Sequence, residues 1–274
     1  MPGKPKLGQN FLRDPQAAAR IVAALGDIST STVVEIGPGG GAITEMLAAR
    51  ARHIIAVELD RELAAALRKR FSPDRVTVLE QDVLQFDFAA AAAQAGARLR
   101  VVGNLPYYIT SPILLKLAAA HAALDTAVLM VQREVADRVT AAPGSRDYGI
   151  LSVTVQLHGP AEPLFTLAPE SFSPPPEVHS TVFRWRIAPR FAELGVNDAG
   201  FLHFVRQAFA QKRKTLANNL RAAGVEPKMA SAALERAGIA PQARTESLSI
   251  EVLAALWREL QAAGALAGAD APPS

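Results

Sequence analysis

Val33-Val34-Glu35-Ile36 is an apolar, strand-like run that passes directly into Gly37-Pro38-Gly39-Gly40-Gly41, after which Ala42 to Ala51 reads as a helix. A strand that turns through closely spaced glycines into a helix is an opening unit of a parallel α/β sheet. The missing side chains let the backbone approach a ligand, and the helix N–H groups point towards it. The following residues keep the same rhythm. Ile54-Ile55-Ala56-Val57 is the next strand and ends at Glu58; Arg61 to Arg70 is helical; Arg75 to Leu79 is a third strand ending near Asp82. Leu99-Arg100-Val101-Val102 is a fourth, stopped abruptly by Gly103-Asn104-Leu105-Pro106-Tyr107-Tyr108. Pro112 to Ala120 is helical and Ala127 to Val131 is a fifth strand. This alternation predicts an α/β fold with a doubly wound, mostly parallel sheet covered on both faces.

The pattern changes after residue 147. Tyr148 to His158 and Ser180 to Arg186 read as two strands, and the proline-stiffened segment Phe172 to Val178 lies between them. An antiparallel edge on the sheet is expected from them. Ile187 to Asn197 reads as a linker, which gives two domains, 1–188 and 189–274. The second is wholly helical. Phe201, Phe204, Val205, Ala208 and Phe209 follow the 3.6-residue period, Leu216 and Leu220 continue the stripe, and Lys228 to Ala237 and Ile250 to Ala262 are further helices. Before the first strand, residues 4–13 form a basic arm anchored by Phe11 and Leu12, and Asp14-Pro15 is an N-cap and first-turn pair for a helix to Leu25. Residues 263–274 read as a disordered tail.

Composition removes several classes of function. The 274 residues contain no cysteine, so disulfides and thiolate metal sites are excluded, and the five histidines show no metal-ligand spacing. No secretory leader is expected, and no uncharged run reaches the roughly 20 residues of a membrane span. Together these predict a cytoplasmic protein. The formal charge is only +3, but the basic residues cluster. Between Asp198 and Glu226 no acidic residue occurs, whereas Arg206, Lys212, Arg213, Lys214 and Arg221 all do. Such a run is either a solvated helix face or a phosphate-binding surface.

The strand ends carry the chemistry. Glu58 can accept from two ribose hydroxyls, and Asp82 can accept from an adenine amine; alternatively, Glu58-Leu59-Asp60 and Gln81-Asp82 merely cap helices. Gly37, Gly39, Ala42 and Glu58 also fit a dinucleotide fingerprint. Pro38, however, removes an N–H from the turn that would cradle a pyrophosphate, and no hydride-transfer site follows. Asn104 suits reaction at the exocyclic amine of a base, whose lone pair is delocalised into the ring. A neutral side-chain oxygen, helped by a backbone carbonyl, can hold the N–H groups and bias the nitrogen towards tetrahedral geometry. Tyr107 can stack on the base.

Taken in order, these segments resemble the S-adenosylmethionine-dependent ribosomal RNA adenine N6,N6-dimethyltransferases. The resemblance runs from about Lys6 to residue 250. It rests on Gly8-Gln9-Asn10-Phe11-Leu12, Glu35 to Gly41, Glu58-Leu59-Asp60, Gln81-Asp82, Asn104-Leu105-Pro106-Tyr107, Gln132-Arg133-Glu134-Val135, Pro143-Gly144-Ser145, Tyr148 to Val153 and Phe172-Ser173-Pro174-Pro175-Pro176. It implies a seven-stranded Rossmann-like methyltransferase sheet with a small all-helical, RNA-binding C-terminal domain. It also implies that Asn10, Leu12, Gly37, Glu58, Asp82 and Asn104 contact S-adenosylmethionine, and that Asn104, Leu105, Pro106 and Tyr107 hold the target adenine. Read apart from the resemblance, Phe172 before the prolines either closes over the base pocket or is ordinary packing, and Lys212, Arg213, Lys214 and Arg221 are the basic residues that would bind RNA. Similarity to the bacterial small-subunit branch implies two adjacent adenines near the 3′ end of 16S RNA, in the immature 30S subunit, as substrate of a monomeric enzyme. Tyr108 stands where that branch commonly has asparagine and is read as pocket wall. Two rivals stand beside this reading, a resistance-type 23S dimethyltransferase and a non-catalytic assembly or transcription factor on the same fold.

Overall fold

The computed structural model describes residues 10–266. A two-residue strand, β1 (Phe11–Leu12), leads into α1 (Pro15–Ala24), where Asp14 caps as expected, its Oδ1 accepting from the Gln16 and Ala17 N–H groups at 2.8 and 3.2 Å. There follow β2 (Thr32–Ile36), α2 (Ala42–Ala48), β3 (His53–Glu58), α3 (Arg61–Arg70), β4 (Val76–Glu80), α4 (Phe88–Ala95), β5 (Leu99–Asn104), α5 (Thr110–Ala119) and β6 (Leu124–Gln132). Next come α6 (Arg133–Val139), α7 (Ile150–Leu157), β7 (Ala161–Leu167), β8 (Phe172–Ser173) and β9 (Ser180–Arg186). The chain then stays helical through α8 (Phe191–Leu194), α9 (Asp198–Ala208), α10 (Leu216–Ala222), α11 (Pro227–Arg236) and α12 (Ile250–Ala262).

Seven strands form one sheet in the order β4-β3-β2-β5-β6-β9-β7, the first five parallel and β9 and β7 antiparallel. The chain winds outward from β2 to β4 and then returns to the other side of β2 with β5. The order therefore reverses between β2 and β5, and ligands bind beyond the carboxyl ends of strands at such a point. Register sharpens the statement. Ile36 lies opposite Gly103, so Gly37 and Asn104 leave the sheet side by side. Glycine is required at 103 because a Cβ there would come within 2.8 Å of the Ile36 carbonyl oxygen and force β5 away from β2.

Two compact units result, Met1–Ala136 with Gly159–Ala188, and Asp137–His158 with Pro189–Ser274. Residues 137–158 thus belong to the helical unit, although the sequence reading places them in the first domain. That segment reads as a strand because it is rich in valine and threonine, yet it is helix α7. Leu151 to Val155 are all buried, so no polar face marks the 3.6-residue period. Its Val153 and Leu157, with Tyr148, pack in the helical core alongside Phe201, Phe204, Leu220 and Trp257. The seventh strand is instead β7, where Pro163 suppresses a strand reading but is tolerated because β7 is the sheet edge. The alanine-rich helix α4 and the short α8, inside the expected linker, also carry too little polar contrast to be read. Ala265 and Leu266, expected in a disordered tail, pack on the helical core; the rest of that tail and the arm before Asn10 lie outside the described residues. Among the described residues, no helix is long and apolar enough to cross a membrane.

Candidate active site

A cavity opens at the switch point. Asn10, Leu12, Gly37, Glu58, Asp82, Asn104, Leu105, Pro106 and Tyr107 all line it, together with Glu35, Leu59, Gln81 and Tyr108. The expected residues come from β1, from four strand ends and from the turn after β5, and the parallel register brings them to one edge.

Glu58 is 3% exposed. Its Oε2 accepts from the Gly39 N–H at 3.0 Å and its Oε1 from the Asp60 N–H at 2.9 Å. The glycine turn is thus fastened to the end of the neighbouring strand, and each carboxylate oxygen keeps a further lone pair for the cavity. Capping of α3 falls to Asp60, not to Glu58. Asp82 does cap, its Oδ1 accepting from the Leu84 N–H at 2.9 Å, while it also lines the cavity. Gly39 has φ +55°, and a Cβ there would lie 2.9 Å from the Phe11 ring, so no side chain fits under the N-terminal segment.

Asn104 Nδ2 donates to the Asn10 carbonyl at 2.9 Å. One of the two Nδ2 hydrogens is thereby engaged, which fixes the orientation of the amide, and Oδ1 is left as an acceptor. The next residue is anchored through its N–H, which donates to the Met130 carbonyl at 2.9 Å. Pro106 O is taken by the Ile109 N–H at 3.2 Å and the Thr110 hydroxyl at 2.9 Å, so the carbonyl left for a ligand is that of Leu105. Tyr107 is fixed by a 2.9 Å hydrogen bond between its hydroxyl and Ser180 Oγ on β9.

Glu35 is the cavity residue that sequence reasoning did not single out. It is 1% exposed, its Oε2 has no hydrogen-bond partner, and burial, with Glu58 adding repulsion, pushes its pKa up to about 7. A carboxylate in the middle of an apolar strand was the available signal. Folded Glu35 holds its proton to a higher pH than the unfolded chain does. This contribution to stability is therefore complete below about pH 4.5 and lost as pH rises through about 7. Glu35→Gln should accordingly stabilise the ligand-free protein at pH 8, by on the order of 2–3 kcal/mol, with little effect at pH 4.5. Thermal unfolding at both pH values checks this, and an equal shift at each would contradict it.

Among the described residues, three carboxylates line the cavity and no lysine, arginine or histidine does. That electrostatic balance suits a cationic nucleoside and disfavours a pyrophosphate, which decides against the dinucleotide alternative.

Two expectations fall elsewhere. Phe172 is 2% exposed and pairs through β8 with Leu12 on β1; it belongs to the core of the sheet unit and does not close over the cavity. Lys212, Arg213, Lys214 and Arg221 lie in the helical unit, all exposed, where Lys212 Nζ donates to the Arg146 carbonyl at 3.0 Å.

Residues 2–262 match the model of the family described as ribosomal RNA adenine dimethylase. The chain is 61% identical to ribosomal RNA small subunit methyltransferase A of Acidobacterium capsulatum, over 94% of this chain and 91% of that one. It is 51% identical to the protein of the same name from Koribacter versatilis, over 94% of each. Among solved structures, a dimethyladenosine transferase from Plasmodium falciparum superposes with a TM-score of 0.80 at 24% identity, covering 93% of this chain and 98% of that one. The 23S rRNA methyltransferase ErmE does so with a TM-score of 0.70 at 27% identity, covering 92% and 100%. The chain belongs to the ribosomal RNA adenine dimethylase family, in its bacterial small-subunit branch.

Proposed function

We propose that this protein transfers methyl groups from S-adenosylmethionine to N6 of two adjacent adenines near the 3′ end of 16S RNA, giving N6,N6-dimethyladenosines. It acts as a cytoplasmic monomer on the immature small subunit. The observation that carries the reading is the Asn104 Oδ1 acceptor at the end of a cavity whose described lining holds three carboxylates and no basic group.

S-adenosylmethionine supplies an activated methyl carbon on a sulfonium. Glu58 would accept from the ribose hydroxyls and Asp82 from the adenine amine, Asn10, Leu12 and Gly37 would close around the ligand, and Glu35, which holds its proton to about pH 7 in the ligand-free protein, would supply negative charge on ionising beside the cationic end. Asn104 Oδ1 and the Leu105 carbonyl hold the two N–H groups of the target amine, and Tyr107, tethered by Ser180, supports the base. Held there, the amine would have its lone pair directed at the activated methyl group that the cofactor would supply. The excess proton leaves to water. Orientation does most of the work, because the donor is already activated.

The reading is tested by equilibrium binding of S-adenosylmethionine and by label transfer to immature small subunits. Binding together with label in 16S RNA is expected. Absence of binding would favour the assembly-factor rival, and label in 23S RNA alone would favour the resistance-type enzyme. The basic turn makes a separate prediction. Lys212, Arg213 and Lys214 changed together to alanine should weaken RNA binding and flatten its log–log salt dependence by roughly 0.7 for each phosphate no longer neutralised. An unchanged slope in a salt titration would return the cluster to a solvated face.

A further inference from the structure

Tyr108 is 60% exposed, the most exposed of the large hydrophobic residues, and it still lines the cavity that holds Asn104. Its neighbour behaves oppositely: the Tyr107 hydroxyl is tied to Ser180, which is fully buried. Both tyrosines sit on the single 3₁₀ turn Tyr107–Ile109 that follows the Asn104 segment, so one ring is fixed against the sheet unit while the next stands at the rim. The rim continues as an apolar surface. Pro112 and Leu115, four and seven residues further on, are exposed too, and no charged residue lies between Tyr108 and Leu115. A large aromatic left exposed beside a site that takes a flat base is a stacking platform in want of a second ring.

We propose that Tyr108 stacks on the nucleobase adjacent to the adenine held by Asn104, and so positions the RNA strand for the reaction. The inference rests on the proposed function. It deepens that reading by naming the residue that reads the neighbour of the target. With one adenine drawn into the cavity, the strand must turn at the rim, and its next base loses the stacking partner that has left. Tyr108 replaces that partner. Stacking tolerates any base but gains most from a purine, so the residue favours a strand in which a second adenine follows the first. Tyr108 acts here as a positioning residue, since it touches the neighbouring base and not the reacting nitrogen.

The test uses the full-length protein and a short RNA from the 3′ end of 16S RNA containing the two adjacent adenines, intact or with one adenine replaced by an abasic sugar. RNA dissociation constants are measured by fluorescence anisotropy, with S-adenosylmethionine affinity measured in parallel. In the unaltered protein the abasic sugar should weaken binding about tenfold. Tyr108→Ala should weaken binding of the intact RNA by a similar factor, and the abasic sugar should then cost nothing further. Tyr108→Phe should retain the coupling, because stacking uses the ring and not the hydroxyl. An equal abasic cost in the unaltered protein and in Tyr108→Ala would overturn the proposal. So would a loss of S-adenosylmethionine affinity in Tyr108→Ala as large as the loss for RNA, which would make the residue part of the cofactor wall only. If the unaltered protein binds neither S-adenosylmethionine nor the intact RNA, the functional reading itself fails and carries this inference with it.

Discussion

Asn104→Ala lowers the rate of methyl transfer by roughly 10²–10³, the cost of removing one preorganised polar contact at a reacting centre, while S-adenosylmethionine affinity falls by far less. The asymmetry follows from the hydrogen bonds. Asn104 donates from Nδ2 to the Asn10 carbonyl, which orients the amide, and in the proposed site its Oδ1 accepts from the amine. Alanine loses both functions. The turn itself persists, because it is held by the Leu105 N–H to Met130 O bond and by the Pro106 carbonyl. Single-turnover kinetics with saturating cofactor separates the two effects. A near-normal rate would mean that the target amine is positioned by something else. Asn104→Asp is a sharper variant of the same test, since it keeps the shape and adds a charge beside the position of the sulfonium.

Glu58→Ala has the reverse signature, a large loss of cofactor affinity with little change in the rate at saturation. Two ribose hydroxyls donating to one carboxylate are worth roughly 1.5–3 kcal/mol each, so a loss of at least about 10² in affinity is expected. The variant also orphans the N–H groups of Gly39 and Asp60, which Glu58 now satisfies. The glycine turn therefore loosens at the moment the ribose loses its acceptor. Glu58→Gln preserves one acceptor and most of the shape, so its loss should be intermediate. Isothermal titration of S-adenosylmethionine against the three proteins checks the order, and equal affinity in all of them would remove Glu58 from the site.

The two predictions divide the proposed site into a donor half and an acceptor half, and the sequence reveals these halves unequally. Strand ends are legible because apolar runs stop at Glu58, Asp82 and Asn104, and a parallel sheet delivers successive strand ends to one edge. The alternation alone is enough to place them together. What local pattern cannot give is the wiring: Asn10 holding Asn104 across 94 positions, or Ser180 tethering Tyr107 across 73. Interactions of that range depend on the fold as a whole. The segments that sequence conceals share a different cause. Helix α7 is buried on every side and lacks a polar face, and β7 carries a proline that only an edge strand tolerates. Phe172 is hidden for a related reason, since burial of a lone aromatic is decided by β1, a partner more than 150 residues away in sequence. Glu35 is legible in principle. An ionisable group inside an apolar strand signals either a strained core or a ligand, and here the residue lines the cavity and carries a buried oxygen with no hydrogen-bond partner.

The central claim is that this cavity dimethylates adenines of the small-subunit RNA, and mass-spectrometric mapping of N6,N6-dimethyladenosine in 16S and 23S RNA tests it most directly. The strains compared lack the protein or carry it unaltered or as Asn104→Ala. The expected result is loss of dimethylation at two adjacent 16S adenines in the deletion strain, restored by the unaltered protein and not by Asn104→Ala, with 23S RNA unchanged throughout. Intact 16S dimethylation in the deletion strain, or full restoration by Asn104→Ala, would contradict it.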